Sequence, residues 1–567
     1  MSCIPRHTKL PPEEHRADSC KQMASMNCSA VYRMAPAFKA SPWGDFFLNH
    51  TTDSLLISHE KMTERVNKLK VVVSGLFGAC KNVMEKLNLV DTLQHLGIDH
   101  HFEERIAAAL NSVHNSEFSS SSLHEVALRF RVLRQHGFLV SADVFNKFRN
   151  KDGNFVNDIA NDPKDLLSLY NAANLITHNE EPLEEALLFA RHHLELMKCN
   201  LKSPLAEQVG RALKIPFPKN IKREEAISYI QEYNVHDEMY NAAILELAKV
   251  EFNCLQCVHQ KELKAIYMWW NDLSTDIKLD YARDHVVVCY FWSYSCMYEE
   301  EYARSRVVLA KLLMLASLLD DTYEHATLEE CRVLAKVIKR WDEKDVSLLP
   351  EYMKKYFISV IRNFKEFGKE LEPHEMYRSA YIRKAFQNIS ECYLQEAEWS
   401  HRDYIPSLED HVNVSTTTAG VELVAVGVLF GMGDVATNEL FEWATAIRDS
   451  HAVKACGKVT RFMDDLADFK RENLNKMDVA TTVDCYIKEN NVSSEVAQAK
   501  IMSLVDDAWK TLNQELFERR VPLQIIRRIT NFARSMMLHY HDKRDGYACS
   551  EEIKELLKNH FVKDIAI

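Results

Sequence analysis

A chain of 567 residues with a 47% hydrophobic composition has material for two or more domains with real cores. Its 70 Lys+Arg against 82 Asp+Glu leave a net charge of -12, and no block of five or six like charges marks a basic arm, which argues against nucleic acid as a partner. Glycine and proline number only 14 each, well below the roughly 12% of average usage for the pair, so tight turns are scarce and long helices are expected.

The stretch 1–32 carries Glu13, Glu14 and Asp18 and no apolar core of signal-peptide length, and organelle transit peptides are acid-poor. It reads as a disordered leader on a cytoplasmic protein. From about Asp53 onward the apolar spacing is helical: HEKMTERVNKLKVVVSGLFG, EEALLFARHHLELM and NAAILELAKVEFNCLQCV all repeat apolar residues three and four apart. Short breaks separate the helices, at NKDGN (150–154), NDP (161–163) and KIPFPKN (214–220). A boundary near residue 250 divides a domain at 33–250, with ordinary amphipathic helices, from one at 251–567, where fully apolar runs end in clustered acids. Function is expected in the second.

Two metal-like patterns carry little weight. NCLQCVH places Cys254, Cys257 and His259 at a spacing zinc uses, but no second cysteine or histidine pair follows and the segment is helical, so buried core cysteines are expected. IDHHFEERI contains Asp99, His100 and His101, which suggests a metallophosphoesterase, but no partner clusters of acids or histidines elsewhere support it. The other cysteines are scattered singly, which fits a reducing compartment. The longest apolar run, at 307–319, is interrupted by Lys311 and falls short of the ~20 residues a membrane span needs, so no membrane insertion is expected.

The run LLMLASLLDDTYEH poses the central question, because a segment built for the interior ends in Asp320, Asp321 and Glu324. If the helix continues through them, Asp320 and Glu324 share a face at i and i+4. Their mutual repulsion and the helix dipole both require a cation nearby. A second cluster, TRFMDDLADFKRE, lines Asp464, Asp468 and Glu472 on one stripe with Arg461 on the acidic side, while Phe462, Leu466 and Phe469 line another. Two acid stripes on apolar helices suit a multinuclear Mg2+ site that holds a diphosphate, since Mg2+ takes oxygen ligands and shares them with substrate phosphates. No glycine loop of the GxxxxGK[ST] kind offers another phosphate cradle.

From about Arg33 to its end the chain resembles the plant class I terpene synthases. DDTYE (320–324) resembles their DDxxD motif, DDLADFKRE (464–472) their (N/D)DxxSxxxE motif, ARDH (282–285) their RxR element, and YRMAPAFKASPWGDFF their RRx8W signature, with Arg33 and Trp43 in register. LLSLYNAANL, HFEERI and HDKRDGY are further family-like stretches. The resemblance implies an all-α fold of two helical domains: an α-barrel-like N-terminal domain and a C-terminal α-bundle with the active site. No DxDD motif occurs in the first half, so protonation-initiated cyclisation is not expected.

The activity implied is ionisation of a prenyl diphosphate, farnesyl diphosphate in first place, and cyclisation to a sesquiterpene. A monoterpene synthase, a prenyl-chain elongating transferase and a non-enzymatic helical scaffold are the alternatives. The resemblance assigns Asp320, Asp321, Glu324, Asp464, Asp468 and Glu472 to three Mg2+ ions, with Mn2+ as a substitute, and Arg283 and Arg461 to the diphosphate. Trp292, Tyr540 and Tyr547 match aromatic positions of the family's pocket, Thr418 to Gly420 match its helix break, and Asp545 is a polar partner in the C-terminal lid loop. A monomer is implied.

The sequence departs from the family at four positions. Glu324 replaces the usual last aspartate, Asp468 stands where Ser or Thr is usual, His285 replaces the second arginine of RxR, and Met34 that of RRx8W. A neutral histidine lacks the charge and the bidentate fork of arginine.

Overall fold

The computed structural model describes residues 43–49, 52–233, 240–278, 281–446, 450–469, 480–547 and 550–567. The leader at 1–32, Arg33, Met34 and Glu472 lie outside the described residues. Among those described, the chain is α-helices joined by short 3-10 turns, and the single β feature is an isolated bridge between Arg149 and Phe155 that closes the NKDGN turn. The three breaks read from the sequence all fall between helices. Asp162 of NDP caps the helix Pro163–Ala173, accepting from the backbone N–H groups of Lys164 and Asp165, and Pro163 sits in the first turn, where its missing N–H costs nothing.

Two apolar cores form. The first gathers buried residues from Val66 to Val250, and the second those from Leu255 to Phe561 together with Trp43, Phe47, Ile215 and Ile221. Phe47 stacks on Tyr267 at 5.8 Å, so the beginning of the described chain packs on the second core.

The helix Ala242–Ile277, 36 residues long, joins the two. It starts at Asn241, whose side chain accepts from the Ala243 and Ile244 N–H groups, a cap that contributes about 1 kcal/mol. Its first turns place Ile244, Leu247, Ala248 and Val250 in the first core, and from Leu255 onward it belongs to the second. The division expected near residue 250 therefore falls inside one continuous helix. Cys254, Cys257 and His259 are all buried on this helix, with His259 Nε2 2.8 Å from the Tyr298 carbonyl and Cys254 beside Thr63.

Three helices of the second core are apolar on every side. All residues of Val286–Cys296 and Val421–Phe430 are buried, as is the unbroken run from Leu312 to Leu319 in the helix Ala303–His325. Such helices belong at the centre of a bundle. The stretch Leu408–Phe430 has the length and apolarity to cross a membrane, yet 83% of its apolar window is buried inside the protein and the helix breaks at Gly420. Gly420 takes a left-handed φ of 76°, which a glycine adopts without strain.

Candidate active site

The helix Ala303–His325 runs through all three acids of the first cluster. Asp321 is buried, Asp320 is a quarter exposed and Glu324 is exposed. The cation that their repulsion requires is Arg283. Its backbone N–H donates to Asp321 Oδ2 (2.8 Å) and its Nε–H to Asp321 Oδ1 (2.5 Å), while Nη2 lies 3.2 Å from Glu324 and 3.6 Å from Asp320. Burial pushes the Asp321 carboxyl up to about 6 against the pull of Arg283. Burial, then Glu324, pushes Asp320 well above the carboxylate range.

The second cluster ends the helix His451–Asp468. Phe462 and Leu466 are buried and Phe469 is partly so, which turns Asp464 and Asp468 the other way. Arg461 Nη1 donates to Asp464 (2.9 Å) and approaches Asp465 (3.3 Å); its Nη2 lies 3.4 Å from the Thr418 hydroxyl. Carboxylate oxygens of Asp464, Asp468 and Asp545 lie within 4.8 Å of one another. Burial and this crowding raise the proton affinity of both Asp464 and Asp468. Asp545, expected as a polar partner in a lid loop, is thus the third acid of this cluster, and it turns its other side to the chain by accepting from the Tyr547 N–H (3.0 Å).

Asp465 has a different task. It is buried, accepts from the Thr482 N–H (2.6 Å) and hydroxyl, and lies 3.3 Å from His411 Nε2. Burial alone would raise it, but His411, Arg461 and Thr482 hold it down at about 2. It anchors the helix end from which Asp464 and Asp468 project.

Glu396 links the clusters. It accepts from the Thr418 hydroxyl (2.7 Å), feels Arg461, and adds to the raised proton affinity of Asp320. Neighbouring Tyr393, whose hydroxyl donates to the Thr418 carbonyl (3.3 Å), is acted on by both Asp320 and Arg461. The helix break at Thr418–Gly420 therefore lies between the two acidic helix ends. Neither Glu396 nor Tyr393 was picked out from the sequence; both sit within a long helix, Arg378–His401, whose pattern reads as ordinary packing.

Aromatic faces complete the site. Tyr547 lies between the Trp292 ring, stacked at 5.6 Å, and the His285 ring, stacked at 4.0 Å, with the Arg283 guanidinium 5.4 Å from its centre. Tyr540 is buried with its hydroxyl on Asp464. His285 is 4% exposed, and burial, then Arg283 and His539, hold it neutral; neither ring nitrogen has a hydrogen-bond partner among the described residues. It supports Tyr547 from behind and does not stand beside Arg283 as a second donor.

An all-helical bundle in which two acidic helix ends meet beside aromatic walls is the architecture of a metal-dependent helical lyase. The chain belongs to the terpene synthase family: residues 42–213 match the model of the terpene synthase N-terminal domain, and 271–511 that of the terpene synthase family metal-binding domain. It is 57% identical to the tau-cadinol synthase of Zea mays over 541 residues, covering 94% of this chain and 98% of that one. It is 55% identical to the alpha-copaene synthase of Zea mays, over 93% and 99% of the two chains. The crystal structure of isoprene synthase from grey poplar leaves (Populus x canescens), in complex with three Mg2+ ions and dimethylallyl-S-thiolodiphosphate, superposes with a TM-score of 0.83 at 28% identity, covering 91% of this chain and 99% of that one.

Proposed function

We propose that the enzyme uses three Mg2+ ions to ionise farnesyl diphosphate and rearranges the allylic cation to a sesquiterpene, with release of diphosphate. The observation that carries this reading is Glu396, which accepts from the Thr418 hydroxyl that Arg461 also approaches and lies close enough to Asp320 to raise its proton affinity, so the two acidic helix ends lie near one another. The substrate class is supported by the cadinol and copaene synthases to which the chain is more than half identical, and the ion count by the three Mg2+ ions of the poplar enzyme.

The residues fit such ions. Asp464, Asp468 and Asp545 offer only hard oxygen donors, packed closely enough to repel one another, which a divalent cation relieves. Asp320 and Glu324 offer the same donors around Arg283. Bound Mg2+ would neutralise the charge of the departing diphosphate.

The chain itself does the rest. Arg283 and Arg461, each already held by a buried carboxylate, present N–H donors to the diphosphate oxygens. The fully buried helices behind the site keep water from the cation, and Trp292, backed by the stacked Tyr547 ring, turns its other face to it, a contact of about 0.5–2 kcal/mol. The turn carrying Asp545 and Tyr547 closes over both the acids and the aromatic stack.

Incubation of purified protein with Mg2+ and either farnesyl or geranyl diphosphate, followed by analysis of volatile products, tests the proposal. Sesquiterpenes from farnesyl diphosphate are expected. Turnover of geranyl diphosphate alone would make the enzyme a monoterpene synthase, and silence with both substrates would remove the reading.

A further inference from the structure

We infer that His100, His101 and Glu251 form a second metal site, for a transition-metal dication such as Zn2+, remote in sequence from the acidic clusters and independent of them. The two histidines sit on the 3-10 turn Asp99–Phe102, and the acid that meets their Nε2 atoms comes from a distant part of the chain. The fold supplies it from the helix Ala242–Ile277. Nε2 of His100 lies 3.4 Å and Nε2 of His101 3.8 Å from the same Glu251 oxygen, Oε1, and all three candidate donor atoms lie within 4.8 Å of one another. A tetrahedral ion with bonds of ~2.0–2.1 Å holds its ligand atoms about 3.3 Å apart, so only a small closure is needed.

The hydrogen-bond pattern points the same way. Glu251 is 2% exposed; its Oε2 accepts from Arg223 (2.7 Å), but among the described residues its buried Oε1 has no donor and the buried Nε2 of His101 has no hydrogen-bond partner. The Tyr298 hydroxyl donates its one proton to the Gly97 carbonyl (3.1 Å), and it lies 3.2 Å from His100 Nδ1. Towards that nitrogen the hydroxyl can only accept. In that arrangement His100 carries its proton on Nδ1 and turns the lone pair of Nε2 at a carboxylate oxygen. Two acceptors facing each other in a buried site are unfavourable, and a cation between them removes the conflict. A hydrogen bond that orients a histidine from behind is also the usual support of a metal ligand.

Two of the nearby cations are engaged elsewhere. Lys222 pairs with Asp99 (2.7 Å) and Arg223 with the far oxygen of Glu251. Burial, with Lys70 and Arg223 close by, keeps both rings neutral, the form that binds metal. Two imidazoles and one carboxylate favour Zn2+ or Co2+ over Mg2+, which prefers oxygen alone. An ion here would tie the loop before the helix Glu103–Asn115 to the helix that joins the cores.

The test uses chelator-treated full-length protein in the Asp320→Asn/Asp464→Asn background, which weakens the acidic clusters, with excess Mg2+ present. Titration with Co2+ is expected to give one equivalent per chain, a visible absorption band of a low-coordinate nitrogen/oxygen site, and displacement by Zn2+. His100→Gln and His101→Gln should each weaken binding by at least ~10-fold. Tyr298→Phe keeps all three ligands, removes only the hydroxyl that fixes the tautomer, and should weaken it by about 10-fold. Absence of Co2+ binding in the background protein, or unchanged affinity in any of the three variants, overturns the proposal.

Discussion

Arg283 holds Asp321 twice, donating its backbone N–H to one carboxylate oxygen and its guanidinium Nε–H to the other. The main chain at the start of the site is thereby locked to the end of the helix Ala303–His325, and the guanidinium is aimed before any ligand arrives. Asp321 is, on this geometry, the residue that positions Arg283, while Asp320 and Glu324 keep oxygens available. Asp321→Asn replaces one of these acceptors with a donor. Turnover is expected to fall about 10- to 100-fold with the fold intact, read from steady-state kinetics beside circular dichroism.

Asp320→Asn and Asp464→Asn remove one donor from each acidic helix end without changing side-chain volume. Each is expected to lower turnover by at least ~100-fold and to abolish the rise in thermal midpoint that Mg2+ and a diphosphate analogue give together. Full activity in either variant would remove that residue from the site.

Asp465 separates from its neighbours by sign. Its carboxyl is held below its ordinary value of 3.8, so the stability it contributes is complete above that value and is lost as pH falls towards about 2. Asp465→Asn should cost about 3 kcal/mol at neutral pH, because Arg461 and Thr482 lose a buried charge. Denaturant melts should show the gap between wild type and variant narrowing as the pH falls below 4.

Asp468 behaves in the opposite way. Burial and then Asp464 and Asp545 raise its proton affinity, so without divalent ions the fold binds more protons than the unfolded chain and loses stability as pH rises. In a chelator, the thermal midpoint should fall between about pH 5 and about pH 8, and Asp468→Asn should flatten that slope. Added Mg2+ should restore stability at the upper end, where the carboxylates are ionised. An unchanged slope in the variant would place the titration elsewhere.

His285→Phe keeps the stack on Tyr547 and loses no hydrogen bond to the described residues, among which both buried imidazole nitrogens lack partners. Stability should stay level or rise by up to about 1 kcal/mol, measured by denaturant melts. A clear loss would show that the ring makes a polar contact that holds the site.

The first acidic helix end was legible because it breaks a rule of burial that needs no partner to be recognised, carboxylates directly after an unbroken apolar run, and the second because its acids recur at i, i+4 and i+8. The requirement for a cation beside Asp320 and Glu324 followed from repulsion, and Arg283 meets it. Periodicity likewise gave the helices and the Pro163 break marked an end, whereas the break at Gly420 was expected from the family resemblance. The rest depends on distance along the chain. Asp465 is chemically the twin of Asp464 in the sequence, and only the approach of His411 and Thr482 separates their roles. Glu396 looks like any acid on a long helix until Thr418 and Arg461 come up to it. Glu251, one of three glutamates on its helix, acquires its histidines only when the first core folds.

The helix Ala242–Ile277 gives each half of the protein part of its interior. Cutting the chain within it would strip apolar cover from both pieces at once, so neither is expected to stand as an autonomous fragment. Exchange of catalytic halves between relatives should succeed only when the whole rod travels with one parent and the residues lodged against its opposite end are chosen to suit it.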